Sequence, residues 1–225
     1  VVIPMLNEAD NVGPLLDEIA GTLETLPVSW ELIVVDDGSR DGTLTELCSR
    51  QQDFDRLRIL RFPSNQGQTV ALRVGIQSAR GEWIATMDAD MQNDPADVPR
   101  LIERMRQMGA DMVVGWRRRR QDRFWGKRLP SVAANTLLRW LTGTPVHDTG
   151  CTLKVMSASL AQKLPLAPGL HRFIPALAHA MNARVVEIEV GHRPRVRGSS
   201  KYGWERLLPV ARDLGVLMFL PSRVA

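Results

Sequence analysis

The chain has 225 residues, 44% of them apolar, with a formal net charge of +4 and a pI of about 9.6. That is enough for one large domain with a proper core, and no window reaches the roughly 18 apolar residues that a membrane span needs. Cys48 and Cys151 stand apart from any CxxC or Cys/His spacing, which excludes a structural zinc site and points to two reduced thiols in a reducing compartment.

In chain order, Val1-Val2-Ile3-Pro4 is a first short strand. No secretory leader is visible before it, and a few residues are expected to precede Val1. Val12, Leu15, Leu16, Ile19, Leu23 and Leu26 then recur at helical spacing until Pro27 stops them. A second unit runs from Glu31–Val35 to a helix near Thr43–Gln51, and a third pairs Leu57–Arg61 with Gln68–Ala79. Trp83–Met87 leads to a helix at Ala96–Gln107, and Met112–Trp116 adds a strand. Alternation of this kind predicts a mostly parallel sheet covered on both faces by right-handed crossovers. From Arg117 the alternation weakens. A helix is expected near Val132–Leu141, strands at Thr152–Met156 and Val185–Val190, and helices near Ala158–Leu164, Phe173–Met181 and from Tyr202 onward. The polar stretch Gly191–Gly203 is long for a connection inside a domain, which suggests a binding loop or lid.

Acidic residues gather at three predicted strand ends, and in a parallel sheet those ends share one edge. Asp88 and Asp90 stand one residue apart, so a turn brings both carboxylates to one cation, and Gln92 adds a neutral oxygen. Such a donor set suits Mg²⁺ or Mn²⁺ holding a diphosphate; two surface loop acids are the plain alternative. Asp94 before Pro95 is read as a helix cap. Asp36 and Asp37 offer a carboxylate to a ribose or base while Gly38 permits close backbone approach. A simple strand-to-helix loop capped by Ser39 or Asp41 is the alternative there. Pro4, Asn7 and Glu8 follow the first strand.

Other chemistries are tested by what is missing. No GxGxxG follows the first strand, and no GxxxxGK[ST] or GxSxG appears. His147, His171, His179 and His192 have no metal-ligand spacing among them. The positive balance favours anionic partners, namely phosphates, nucleic acid or an acidic membrane surface. The most basic stretch is Arg117–Arg120 with Arg123, Lys127 and Arg128, and a second basic group, His192, Arg193, Arg195, Arg197 and Lys201, lies on the Gly/Ser-rich loop. Most of these side chains are expected on a solvated surface, with one or two on phosphate. Only Phe124 and Trp125 interleave with the Arg runs, so nucleic acid is not the expected partner.

Together, Val1-Val2-Ile3-Pro4 with Asn7-Glu8, Val34–Ser39, Asn65-Gln66-Gly67, Met87–Pro95, Asp148–Cys151, His171–Pro175, His192–Arg195 and Ser200-Lys201-Tyr202 form an ordered pattern. It resembles the inverting family 2 glycosyltransferases, in the branch of dolichyl-phosphate mannose synthase and related polyprenyl-phosphate hexosyltransferases. The resemblance covers nearly the whole chain and implies a single α/β domain of GT-A fold, with a mostly parallel central sheet flanked by helices. Residues 1–116 would form a Rossmann-like nucleotide-sugar-binding half, and 117–225 an acceptor half ending in an amphipathic helix. The implied reaction is metal-dependent, inverting transfer of a hexose from GDP-mannose or a UDP-hexose to a polyprenyl phosphate; the alternative within the same family is transfer to a saccharide or protein acceptor.

Carried over residue by residue, the resemblance implies that Pro4, Asn7, Glu8, Asp36 and Asp37 hold the nucleotide and that Asp88 with Ala89 lies against the donor. It places Mg²⁺ or Mn²⁺ on Asp90 and Gln92, and Asp148 toward the sugar or the metal. Arg117, Arg128, Arg193 and Ser200 would meet the acceptor phosphate, and Lys201 the departing diphosphate. Thr136 stands where processive polysaccharide synthases carry the Gln of QxxRW ahead of Arg139-Trp140, which disfavours polymerisation. Relatives often continue into transmembrane helices, so contact with the cytoplasmic membrane face is expected from the apolar stretch 207–220, the basic loops, or residues beyond this sequence.

Overall fold

The computed structural model describes residues 1–118 and 143–194. Seven strands form one sheet: β1 (Val2–Met5), β2 (Leu32–Asp36), β3 (Leu57–Arg61), β4 (Trp83–Thr86), β5 (Met112–Trp116), β6 (Lys154–Ser157) and β7 (Val185–Glu189). The helices are α1 (Ala9–Leu23), α2 (Thr43–Gln51), α3 (Gln68–Ser78), α4 (Asp97–Met108), α5 (Ala158–Ala161) and α6 (Ile174–Ala180), with a 3₁₀ turn at Leu170–Phe173 before the last. The expected helices near 132–141 and from 202 onward lie outside the described residues, as do Arg128, Ser200 and Lys201.

Strand order across the sheet is β3-β2-β1-β4-β6-β5-β7. The chain builds β1, β2 and β3 outward in parallel, then returns to lay β4 on the other side of β1. Between β1 and β4 the direction of winding reverses, and a crevice opens at the carboxyl ends of such strands. Pro4 has no N–H to donate, and β1 pairs with β4 only at Val2↔Thr86, so the two strands part just where the crevice begins.

The second half departs from the simple alternating pattern. Strand β6 is wedged antiparallel between β4 and β5, while β5 and β7 run parallel to each other. Antiparallel pairing on both sides of β6 leaves β5 parallel to β4. The carboxyl ends of β1, β2, β4, β5 and β7 and the entry to β6 therefore share one edge.

The core follows from sequence periodicity. Val12, Leu15, Leu16, Ile19 and Leu23 of α1 are buried on one face, and β2 is buried along its whole length, as strands covered on both faces are. Helix α3 sits so close to β1 that a Cβ on Gly75 would lie 2.4 Å from Val2 Cγ1, which only a glycine allows.

Candidate active site

At the carboxyl ends of β1 and β2 the loops are tied to each other before any ligand is considered. Asn7, at φ +50°, receives the Arg40 N–H on its side-chain oxygen at 2.8 Å and donates its own N–H to Ser39 Oγ at 2.9 Å. The Glu8 N–H donates to Thr43 Oγ1 at 2.8 Å, and the Glu8 carboxylate accepts from Asn11 Nδ2 at 2.7 Å. Asp36 is wholly buried; one oxygen accepts the Ser39 N–H at 3.0 Å, and the other has no hydrogen-bond partner among the described residues. Asp37 fixes the next loop, accepting from the Gln66 N–H at 2.7 Å, the Gly67 N–H at 3.0 Å and Asn65 Nδ2 at 3.1 Å. Burial pushes the Asp37 carboxyl up, the two backbone N–H groups pull it down, and Asp36 adds to the rise. Gly38, at φ +73°, passes Ser64 so tightly that a Cβ would meet its carbonyl carbon at 2.6 Å.

The turn after β4 carries the second acidic pair. Asp88 accepts from Gln68 Nε2, on the first residue of α3, at 2.8 Å, and its own N–H reaches Asn93 Oδ1 at 3.3 Å. Asn93 is itself held by Thr152 Oγ1 at 2.9 Å, and Asp90 accepts the Gln92 N–H at 3.2 Å. Burial, and after it the charge of Asp90, push the Asp88 carboxyl up to about 6. Two carboxylates crowded in this way favour a cation between them. Asp94 accepts the Ala96 N–H at 3.0 Å in the turn that leads into α4, whose N-cap is Ala96 and not Asp94 as expected.

From β5 and β6 come cations. Arg117 grips Asp148 through Nε at 2.8 Å and Nη2 at 3.0 Å, a fork in which both side chains are largely buried. Lys154, the first residue of β6, is buried and donates to the Cys151 carbonyl. Burial pushes the Cys151 thiol up, so it stays neutral. From the end of β7, Arg193 bridges Glu18 and Asp94, each at 2.7 Å. Its backbone N–H donates to the Gln92 carbonyl at 3.0 Å, and Gln92 Nε2 returns a bond to the Arg193 carbonyl at 3.4 Å.

Of the residues singled out in the sequence, Pro4, Asn7, Glu8, Asp36, Asp37, Asp88, Ala89, Asp90, Gln92, Arg117, Asp148 and Arg193 all fall on the one sheet edge. Arg117 and Arg193 are engaged by carboxylates of the chain itself, so an acceptor phosphate would have to exchange with or join those partners. Gln68, Asn93, Thr152 and Lys154 support the acidic turn without having been singled out as site residues. Gln68 directly follows the Asn65-Gln66-Gly67 signature and Asn93 lies inside the acidic motif, so both carried a signal.

Among the described residues no cluster of three or more His, Cys, Asp or Glu gathers to hold a metal. A pair of acids with a neutral amide oxygen nearby nevertheless fits Mg²⁺ or Mn²⁺, ions often held by one or two carboxylates with waters and substrate phosphates completing the shell.

The topology is that of the GT-A glycosyltransferases. Glucosyl-3-phosphoglycerate synthase from Mycobacterium tuberculosis, solved with Mn²⁺, uridine diphosphate and phosphoglyceric acid, superposes with a TM-score of 0.74 at 22% identity, covering 100% of this chain and 78% of that one. Mannosyl-3-phosphoglycerate synthase from Rubrobacter xylanophilus gives a TM-score of 0.72 at 20% identity, covering 100% of this chain and 75% of that one. The chain belongs to the glycosyl transferase family 2, whose model matches residues 1–164. It is 41% identical over 222 residues to dodecaprenyl-phosphate galacturonate synthase of Rhizobium johnstonii, which covers 97% of this chain and 66% of that protein. It is 36% identical over 220 residues to undecaprenyl-phosphate 4-deoxy-4-formamido-L-arabinose transferase of Aeromonas hydrophila, covering 97% of this chain and 67% of that one. The chain thus spans about two thirds of the length of the curated relatives it matches.

Proposed function

We propose that this domain transfers a sugar from a nucleotide diphosphate donor to a polyprenyl phosphate, with Mg²⁺ or Mn²⁺ required and with inversion at the anomeric carbon. The observation that carries the donor side is the acidic turn: Asp88 and Asp90 at the point where the sheet changes winding direction, held in place by neutral hydrogen-bond donors. The acceptor class is supported by the two relatives named for dodecaprenyl and undecaprenyl phosphate.

In this reading residues 1–116 bind the donor. Asp36 turns the oxygen that makes no hydrogen bond among the described residues, 3.9 Å from Arg61 Nε, toward the ribose or base, the backbone around Asn7 and Gly38 lines the nucleotide, and Asp88 lies against the sugar. Asp90 and Gln92 would hold the divalent cation, which when bound neutralises the charge on the leaving diphosphate. A polyprenyl phosphate oxygen is already ionised near neutral pH, so no strong general base is needed. The work left to the protein is to align two anions for in-line displacement. Residues 117–225 would receive the acceptor, with Arg117 held ready by Asp148, and with Arg128, Arg193 and Ser200 around the phosphate and Lys201 at the diphosphate. The site would face the lipid at the cytoplasmic side of a membrane; among the described residues no helix is long and apolar enough to cross one.

The test uses the full-length protein with undecaprenyl phosphate and, in turn, radiolabelled UDP-glucose, UDP-galacturonate and GDP-mannose, with and without EDTA. Label that enters the organic phase and is abolished by EDTA supports the reading and names the donor. Transfer only to a water-soluble acceptor would overturn the lipid assignment.

A further inference from the structure

Two consecutive residues at the end of β5 meet two consecutive residues of the loop 143–153. Trp116 stacks on His147, with ring centroids 4.8 Å apart and planes 18° from parallel, and Arg117 forks onto Asp148 at 2.8 and 3.0 Å. The Arg117 backbone N–H also reaches Asp148 Oδ2 at 3.4 Å. The contact is a ladder of two rungs, one aromatic and one ionic, between a strand end and a loop with no helix or strand of its own.

Strand β7 supplies the support behind this ladder. Trp116 lies opposite Glu189 in the parallel β5–β7 register, so Trp116, Glu189 and Glu187, two residues earlier, share one face of the sheet. Glu187 accepts the His147 backbone N–H at 2.7 Å with one oxygen and bonds ring Nδ1 with the other. Glu189 pairs at 3.6 Å with Arg118, whose guanidinium lies 5.6 Å from the Trp116 ring centre. Both residues that rest on Trp116 are therefore tied to β7. Acids on a strand at the end of a sheet often only face solvent and discourage pairing with another chain. Half-exposed Glu189 fits that role, but the Glu187 side chain is only 15% exposed and is spent on His147.

His147 directly precedes Asp148, so fixing its backbone N–H and its ring together fixes where the Asp148 carboxylate sits. That carboxylate takes the Nε hydrogen and one Nη2 hydrogen of Arg117, which leaves three of the five guanidinium N–H groups for other partners. The guanidinium is planar, so the fork also sets the direction in which those three point. Resting on the acceptor-half reading above, we infer that Glu187 and His147 are positioning residues, which orient Arg117 toward the acceptor phosphate and touch neither substrate. Glu187 acts on Arg117 through His147 and Asp148, and its effect falls on acceptor binding and not on the donor. A site built in this way takes its precision from the shell behind the binding group.

The experiment measures initial rates of the full-length wild type, Glu187→Ala and Glu187→Gln over a range of undecaprenyl phosphate, with whichever of UDP-galacturonate, UDP-glucose and GDP-mannose the wild type accepts. Melting temperatures are taken for wild type and Glu187→Ala, each with and without Arg117→Met. Glu187→Ala should raise the KM for undecaprenyl phosphate about tenfold and leave the donor KM unchanged. Glu187→Gln should stay within about twofold of wild type, because its amide oxygen still accepts the His147 N–H while its NH₂ meets Nδ1 in the other imidazole tautomer. Arg117→Met should lower the melting temperature by less in Glu187→Ala than in wild type, since residues joined through shared partners do not act additively. If Glu187→Ala does not fold, His147→Ala, at a half-exposed position, carries the same comparison. An unchanged KM for undecaprenyl phosphate in Glu187→Ala, a Glu187→Gln as impaired as Glu187→Ala, or additive melting shifts would overturn the inference. No transfer to undecaprenyl phosphate by the wild type would instead overturn the acceptor reading, while the melting shifts, which need no substrate, still decide whether the support from β7 reaches Arg117.

Discussion

The two halves of the sheet edge hold their acids differently. At the ends of β1, β2 and β4, Asp37, Asp88 and Asp90 rest on backbone N–H groups and on the amides of Asn65 and Gln68, and Asp36 adds to its backbone contact a long ion pair with Arg61 at 3.9 Å. Around β5, β6 and β7, Asp148 is gripped by Arg117, and Arg193, just past β7, reaches across to Glu18 of α1 and to Asp94. Neutral donors fix geometry but leave negative charge in place, whereas ion pairs cancel it. The first arrangement draws in a cation and the second does not, so one edge carries a receptive side and a largely self-neutralised side.

The sharpest way to break this contrast is to remove the acid that would hold the metal. Asp90→Ala should lower sugar transfer by roughly a thousandfold or more, since the lost charge neutralisation is worth several kcal/mol. Circular dichroism should show the fold retained. Comparable transfer rates in the variant and the wild type would remove the metal from the account.

On the neutralised side the loss should appear in stability. Arg117→Met removes the two-pronged cation that buried Asp148 holds, and urea unfolding should show a loss of about 3–5 kcal/mol. Adding Asp148→Leu should restore much of it, because two apolar side chains can replace a buried pair.

Titration separates the two sides by sign. A carboxyl raised to about 6 in the folded protein destabilises it when ionised. The penalty is absent below the unfolded value near 4, grows between about pH 4 and 6, and is complete above. Metal-free Asp88→Asn should therefore be more stable than wild type at pH 7, by up to about 3 kcal/mol before solvent screening, and nearly equal to it at about pH 3. Glu31 and Asp41 show the opposite case. Hydrogen bonds hold both below the usual carboxylate range against the effect of burial, so their contribution is present at neutral pH and is lost as pH falls through their folded values. Thermal melts across pH with and without Mn²⁺ read both signs.

Smaller effects refine the contrast. Asp37→Asn turns an acceptor of three hydrogen bonds into a group that must present an N–H to one of those donors, costing about 1–3 kcal/mol and loosening nucleotide binding as measured by calorimetry. Arg193→Ala removes half-exposed ion pairs and should cost under about 1 kcal/mol in stability.

Much of this was legible from local pattern. Strands β3 and β5 and helix α2 match the expected bounds, because continuous apolar runs and helical spacing are short-range signals. The acidic turns were legible because parallel strands bring their carboxyl ends to one edge. The antiparallel wedge of β6 was not, since its register with β4 joins residues about 70 positions apart and a short apolar strand reads the same in either direction. Lys154 was hidden for a related reason: it opens an apolar run, and only the tertiary fold shows that its ammonium stays inside. Arg117 and Asp148 were both named, but their union is a long-range contact that spacing does not reveal.

The central claim, that the turn after β4 is a metal and diphosphate site left negative by design of its hydrogen bonds, is tested most directly by Mn²⁺ binding in the presence of UDP. Titration of the wild-type protein and Asp90→Ala, followed by electron paramagnetic resonance, should show one saturable Mn²⁺ site in the first and its loss in the second. Equal Mn²⁺ binding by both proteins, or none by either, would contradict the account.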